Sequence, residues 1–476
     1  MGIIALTELI MALKGLIILP IITKLLGAEA YGIWVQITVT IALVTLIAIL
    51  ALPYTLVRFL AAEKNKEEIQ DGIYSVLTII LVITLLFALF FFFFSGFISN
   101  FIGGDRILIK ILAFIIIFNC LNVVLLNTFR AFLEMGKYSL FMAFQTIGEL
   151  GLITLATFLG YGLLGAVLAL LIIKIITFLM LFWSMAKKVG IKTPRFLRTK
   201  EYLKFGLPAL ASSIACWIIQ SNDRYLISYF LQVLSVGIYS TGYAVAISFP
   251  FALDLIFGFV LPPTLSKFYD EGNIDEVKIY LRYSLKYFLA LCIPFVFGGL
   301  MLSKQILKIF STPEIASQGY LVVPIVALGA LFFGATDIIG QILILVKKTN
   351  IIAMLWIITA FISFSLNILF IPRFGILGAA IAALLSYSAA MIITIYYSFK
   401  ELKMHIEWFF ILKSLLSSLI MSLIIWKIAP AGTIATILAI ITGVIIYLIS
   451  LILLKGFSLT EIKFFTGFLK NFKEQT

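Results

Sequence analysis

The stretch LPYTLVRF at residues 52–59 returns as LPPTLSKF at residues 261–268, with five of eight positions identical. The offset is 209 residues, and a second pair, YGLLGAVLALL from Tyr161 and FGILGAAIAALL from Phe374, recurs at an offset of 213 with six identities in the first eleven positions. Two short matches at nearly one offset mark a duplicated half. Each half holds about six apolar runs, an even number, so both copies enter a bilayer in the same orientation and relate by an axis along the membrane normal. Duplication of this kind is an architecture of membrane transporters.

Composition puts the chain in lipid. Of its 476 residues 63% are hydrophobic and 12% charged, and the mean hydropathy is +1.18, values that leave a soluble protein without a polar surface. Runs such as ILVITLLFALFFFFFSGF, residues 80–97, are continuous and lack the alternation of a barrel strand. The fold class expected is therefore an all-α polytopic membrane protein of about 14 transmembrane helices, with two pseudo-symmetric six-helix lobes and two C-terminal helices. Spans fall near 3–24, 32–57, 72–98, 107–129, 138–159 and 162–186, then 203–230, 235–261, 283–302, 319–346, 351–371 and 375–398, then 407–426 and 431–454. The corresponding units are an N-terminal lobe (1–187), a basic linker (188–202), a C-terminal lobe (203–399), two additional helices (400–454) and an amphipathic basic tail (455–476).

One alternate set of loops holds Lys64, Lys66, Lys137, Lys187, Lys188, Lys192, Arg195, Arg198, Lys200, Lys347, Lys348, Lys400 and Lys403, while the other set is poor in charge. The excess of cations on one side places both termini in the cytoplasm of a multi-pass protein of the cell membrane. The net charge of +13 follows from the same topology, and the basic linker fits a tether against anionic headgroups better than a nucleic-acid site. In the tail, Phe457, Ile462, Phe464, Phe465, Phe468, Leu469 and Phe472 alternate with Lys463, Lys470 and Lys473, the pattern of an interfacial helix.

Several function classes drop out. Glu8 and Lys14 interrupt the first apolar stretch, so a removable signal peptide is not expected. Cys120, Cys216 and Cys292 all fall within spans, and His405 is the single histidine, which removes most metal and acid–base chemistry. No GxxxxGK[ST], HExxH, GxSxG or CxxC is present, and the loops are too short for a catalytic domain. The chain is expected to be no enzyme and to hold no cofactor or metal.

Charges inside spans cost about 2.5–3.5 kcal/mol each on insertion scales and so face a bundle interior or a watery cavity. The set is Lys14, Glu149, Lys174, Asp223, Arg224, Asp254, Asp337 and Lys413. In the seventh span Ser213, Trp217, Gln220, Arg224 and Ser228 share one helical face, which is expected to line a cavity between the halves. Asp223 points about 100° away from Arg224, which argues against neutralisation within the helix. Lys14 occupies the equivalent span of the first half, so two cations are expected to converge on an anion such as a diphosphate. Asn119 and Asn122 share a face of the fourth span, Gln145 and Glu149 of the fifth, Asp337 and Gln341 of the tenth; such pairs also serve simply to bond neighbouring helices. Glu149, Asp337 and Asp254 are candidates for a coupling ion. Glycines and alanines at 162, 165, 166, 375, 378 and 379 read as close helix packing.

The segments LPIITKLLGAEAYGIW from Leu19, LKFGLPALASSI from Leu203, SNDRYLISYFLQVLSVGIYSTGYAVA from Ser221 and RFGILGAAIAALLS from Arg373 resemble the polysaccharide-biosynthesis oligosaccharide flippases of the multidrug, oligosaccharidyl-lipid and polysaccharide exporter superfamily. The resemblance runs through nearly the whole chain. It implies two six-helix lobes in a V, alternating access to a cationic cavity, and transfer of a polyprenyl-diphosphate-linked glycan from the cytoplasmic to the outer leaflet. On that footing Arg224 and Lys14 hold the diphosphate, Gln220, Ser213, Asn119 and Asn122 contact sugar hydroxyls, and Lys174 is a further substrate-binding candidate. Membrane lipids and glycan polymerase or transferase proteins are the further partners implied, and a monomer is the simplest state. The two extra helices resemble those of peptidoglycan-precursor flippases. The rival functions are a cation-coupled multidrug exporter of the same superfamily, which favours acidic cavity residues, a peptidoglycan-precursor flippase, and a scaffold for glycan synthesis.

Overall fold

The computed structural model describes residues 2–61, 63, 65–458 and 461, and most of the expected amphipathic tail lies outside them. Among the described residues the structure is helices joined by short turns. A first group comprises α1 (Gly2–Ala48), α2 (Leu52–Leu60), α3 (Lys66–Phe93), α4 (Ser95–Ile102), α5 (Arg106–Ala131), α6 (Met135–Phe158) and α7 (Gly162–Val189). The second comprises α8 (Thr199–Leu231), α9 (Val233–Asp270), α10 (Ile274–Phe310), α11 (Pro313–Gly319), α12 (Val322–Leu345), α13 (Thr349–Phe374) and α14 (Ile376–Glu401). Finally α15 (Trp408–Ile428) and α16 (Thr433–Leu453) form a hairpin packed on α10, where the Tyr447 hydroxyl donates to the Ala290 carbonyl at 2.7 Å.

Among the described residues twelve helices are long and apolar enough to cross a bilayer, and the bent α8 makes a thirteenth. The sequence expectation of about 14 exceeds this count, and the difference lies in α1, a single 47-residue element broken at Gly27. Its 47 residues would run about 70 Å as one rod, roughly twice the bilayer's apolar thickness. Gly27, at φ 88° and ψ 180°, turns the chain back there. The spans then alternate in direction, which gives the molecule two faces. The linker face carries the connection between α7 and α8 together with the starts of α3, α6, α10, α13 and α15; the opposite face carries Gly27 and the starts of α5, α9, α12 and α16.

The sequence repeat has structural counterparts. LPYTLVRF forms α2, which follows the second span on the linker face, and LPPTLSKF forms the end of α9 in the equivalent place. The other pair opens α7 and α14, and the equivalent glycines Gly162 and Gly375 both sit in the left-handed region, at φ 59° and 61°. Helix starts follow local chemistry: Asn65 and Asn273 each accept a hydrogen bond from a first-turn amide of α3 and α10, with Glu67, Glu68, Asp275 and Glu276 at the positive ends of the helix dipoles.

The linker is strapped to the first group. Asp71, buried near the start of α3, accepts from the amides of Arg195, Phe196 and Leu197 at 2.5, 3.1 and 3.0 Å, and from Ser75 Oγ at 3.2 Å. Gln70 and Tyr74 donate to the carbonyls of Val189 and Gly190. Outside these, Glu67 pairs with Lys192 and Arg195, and Arg198 with Glu63 and Glu68.

Candidate functional site

Two charged networks lie at the interior. The first joins α1, α6 and α7 near mid-membrane. Glu149 is 1% exposed and accepts Lys14 Nζ at 2.6 Å on one oxygen and Lys174 Nζ at 2.7 Å on the other. Gln145, one turn earlier on α6, donates to Glu149 Oε1 at 3.0 Å, and Asn122 of α5 donates to the Lys174 carbonyl at 2.9 Å. Gly148 makes the arrangement possible, since a β-carbon there would overlap the Ile173 side chain and push α7 with Lys174 away from α6. Two ammoniums on one carboxylate leave a net positive charge. Lys174 is buried, whereas the Lys14 side chain is 35% exposed, so the surplus is presented through Lys14.

The second network centres on Arg224, about 10 Å along α8 from its opposite-face end. The guanidinium Nη1 meets Asp223 Oδ1 at 2.6 Å and also bonds the Gln220 carbonyl. Tyr239 donates to Asp223 Oδ2 at 2.6 Å, and the guanidinium lies over the Tyr243 ring, 3.9 Å from its centroid. This corrects the expectation that Asp223 cannot reach Arg224. The angle between neighbouring Cβ directions is a poor guide for a side chain as long as arginine, which curls across its own helix. Arg224 is thus buried and ion-paired, and it shares no partner with Lys14.

Around Arg224 the two helix groups are sealed to each other. Gln36 of α1 donates to the Arg224 carbonyl at 2.8 Å, Thr40 bonds the Tyr225 hydroxyl at 2.7 Å, and Ser228 donates to the Phe101 carbonyl at 2.9 Å. Nearer the opposite face the helices touch backbone to backbone: a β-carbon on Gly32 would overlap the Val233 carbonyl oxygen, and one on Gly237 the Ala28 carbonyl oxygen. A second contact holds the linker face, where Tyr54 and Phe59 of α2 pack on Phe205 and Arg58 lies 4.8 Å from the same ring centroid.

The remaining predicted residues are dispersed. Asn119 donates to Thr45 Oγ1 at 2.9 Å and, like Asn122, ties helices of the first group together. Gln220 donates to Cys216 Sγ at 3.4 Å, and Ser213 is exposed one to two turns earlier on α8. Asp254 of α9 and Asp337 of α12 lie within interaction distance of each other. Asp337 also lines a cavity of about 130 Å³ with Gln341, Trp356 and Thr394.

The model of the polysaccharide biosynthesis protein family matches residues 1–269, more than half of the chain, and that of the lipid II flippase MurJ matches residues 227–469. The chain belongs to the polysaccharide biosynthesis protein family. It is similar to the probable low-salt glycan biosynthesis flippase Agl15 of Haloferax volcanii, 25% identical over 230 residues, 47% of this chain and 48% of the relative. The chain therefore spans about half the length of that relative. Its fold is that of the solved lipid II flippase MurJ in an inward closed conformation, with a TM-score of 0.78 at 20% identity over 96% of this chain and 99% of that one. A multidrug-resistance MATE transporter in its inward-facing conformation follows at a TM-score of 0.69 and 15% identity, covering 82% and 93%. That transporter is described as a member of the MOP superfamily.

For this family member, sequence reasoning missed the aromatic and amide partners. Tyr239 and Tyr243, spaced one turn apart, supply the hydroxyl and the ring that hold Asp223 and Arg224, and Gln36 carries the bond across the seam. A polar cluster of Asn222, Ser363 and Asn367 links α8 to α13 at 3.0 Å contacts. The signal available was a set of buried-type polar residues inside otherwise apolar runs, but pairing them needed the helix contacts.

Proposed function

We propose that the chain is a flippase that carries a polyprenyl-diphosphate-linked oligosaccharide from the cytoplasmic to the outer leaflet by alternating access. The linker face is the cytoplasmic one on this reading, because the loops there hold the lysine and arginine excess. The observation that carries the proposal is the Lys14–Glu149–Lys174 cluster, a positive surplus near mid-membrane presented by a partly exposed lysine. A diphosphate brings more negative charge than one carboxylate and competes with Glu149 for Lys14, while buried Lys174 keeps Glu149 paired. Arg224 is the second anion partner and becomes available when the seam that buries it opens. The glycan then occupies the space between the helix groups, and the prenyl tail stays in lipid. Agl15 and MurJ, whose printed names make them flippases, support this reading.

A second reading, cation-coupled export of a small molecule, is favoured by the neighbouring carboxyls of Asp254 and Asp337 beside a cavity and by the fold of the MATE transporter. The two are separated in proteoliposomes by following a labelled polyprenyl-diphosphate oligosaccharide between leaflets, with Lys14→Ala and Arg224→Ala beside the wild type. Protein-dependent flipping lost in both variants, with folding intact, supports the flippase. Absence of flipping together with Asp337-dependent export of cationic drugs overturns it.

A further inference from the structure

A separate cavity of about 410 Å³ opens at the linker face where α10, α15 and the segment after α16 meet, remote from both interior networks. Its floor is electrostatically closed. Lys286, whose side chain is 5% exposed, bridges Glu407 at 3.1 Å and Glu461 at 2.8 Å, and Arg282 pairs with Glu407 through Nε at 2.6 Å. Glu461 also accepts from the Tyr287 hydroxyl and the Ser458 amide. Both carboxylates are thereby spent on buried or half-buried cations.

The rim is different. Lys413 and Lys455 line the same cavity and pair with no carboxylate among the described residues. Lys413 donates one of its three N–H bonds to the Lys455 carbonyl at 2.8 Å, which holds its ammonium at the rim with donors to spare. Lys455 itself stands at φ 53°, closing α16 with a Lys455 amide bond to Ile452 and a Gly456 amide bond to Leu451. That left-handed position is one glycine usually fills, and here it carries a lysine aimed at the cavity's edge. Beside it, Trp408 and Phe409 open α15 at 68% and 82% exposure, and an exposed tryptophan is an amphipathic anchor of a membrane interface. The cavity therefore lies at the depth of lipid headgroups.

We propose that this cavity binds the phosphate headgroup of an anionic phospholipid of the linker-face leaflet, with Lys413 and Lys455 as its ligands and Trp408 and Phe409 seating the acyl region. The site is independent of the transported substrate. Native mass spectrometry of the full chain purified with equal phosphatidylglycerol and phosphatidylcholine tests it. The wild type should retain phosphatidylglycerol preferentially, and Lys413→Gln with Lys455→Gln should lower that preference about tenfold. Lys413→Arg should keep it, as should Lys304→Gln with Lys308→Gln, which removes the same charge from the opposite face. Millimolar inorganic phosphate should leave retention unchanged. No preference in the wild type, an equal loss in the opposite-face variant, or displacement by inorganic phosphate would each overturn the proposal, the last in favour of a soluble anion.

Discussion

At the scale of single residues the interior charges divide into those that hold the protein together and those that remain available. Removing one member of a buried pair strands its partner, a loss of about 3–5 kcal/mol. Glu149→Gln leaves Lys14 and Lys174 facing each other without a carboxylate and should lower the thermal midpoint in detergent by an amount of that order. Lys174→Met should also destabilise, whereas Lys14→Met, at a partly exposed side chain, should cost little stability and abolish flipping. Equal thermal losses for the two lysines would remove the distinction drawn between them. The sequence made these positions legible as intramembrane charges, since lone lysines and carboxylates stand out in apolar runs. It could not pair them. Glu149 lies 135 residues from Lys14 and 25 from Lys174, and only the close approach of α6 and α7 at Gly148 brings all three to one point. Arg224 taught the complementary lesson: its face was readable, but its partners Asp223 and Tyr239 depend on side-chain reach and on the packing of α9 against α8.

At the scale of elements, two attachments carry testable weight. Asp71→Asn removes one carboxylate acceptor from three linker amides and should cost about 1–3 kcal/mol, seen as a lower thermal midpoint and as protease cleavage within residues 190–198. Unchanged protease resistance would mean that the outer pairs of Arg198 and Glu67 suffice. On the other side of the same face, burial pushes the Glu461 carboxyl up, but the Lys286 ammonium and the Ser458 amide outweigh it and hold it below the usual carboxylate value. A carboxyl depressed in the folded state stabilises above its unfolded pKa, near about 4.3, and loses that contribution as pH falls through the folded value. The thermal midpoint of Glu461→Gln should therefore trail the wild type by a constant margin from neutral pH down to about pH 5, and the margin should close only in stronger acid. A margin that widens on acidification would contradict the pairing. Helix existence was largely legible because long apolar runs leave little choice, and the repeats located α2, α7, α9 and α14 correctly relative to one another. The break at Gly27 was legible too, as the charged and glycine-containing gap between the first two runs. The bend of α8, at residues 208–209, coincides with Pro208, a helix-bending residue that the sequence shows, whereas the strap formed by Asp71 was not legible, because it does not depend on hydrophobic periodicity.

At the scale of the whole molecule, the two helix groups meet along a seam whose opposite-face half is backbone against backbone at Gly32 and Gly237 and whose inner part covers Arg224 through Gln36 and Thr40. Alternating access requires that seam to part. Gly237→Leu should prevent it from closing and leave the inner part of the seam accessible from the opposite face, read as labelling of an introduced cysteine at Gln36. The converse experiment locks it. A β-carbon on Gly103 would stand 3.1 Å from that of Val233 across the seam, so a disulfide there joins the two groups once the backbones part by several tenths of an ångström and the φ of 87° at Gly103 relaxes. The decisive measurement is flipping of a labelled polyprenyl-diphosphate oligosaccharide in proteoliposomes by the Gly103→Cys, Val233→Cys protein, oxidised and then reduced, in a background with Cys120, Cys216 and Cys292 replaced. Flipping that is absent when the bridge is formed and returns on reduction is the expected result. Equal flipping in both states would contradict transport through an opening of this seam.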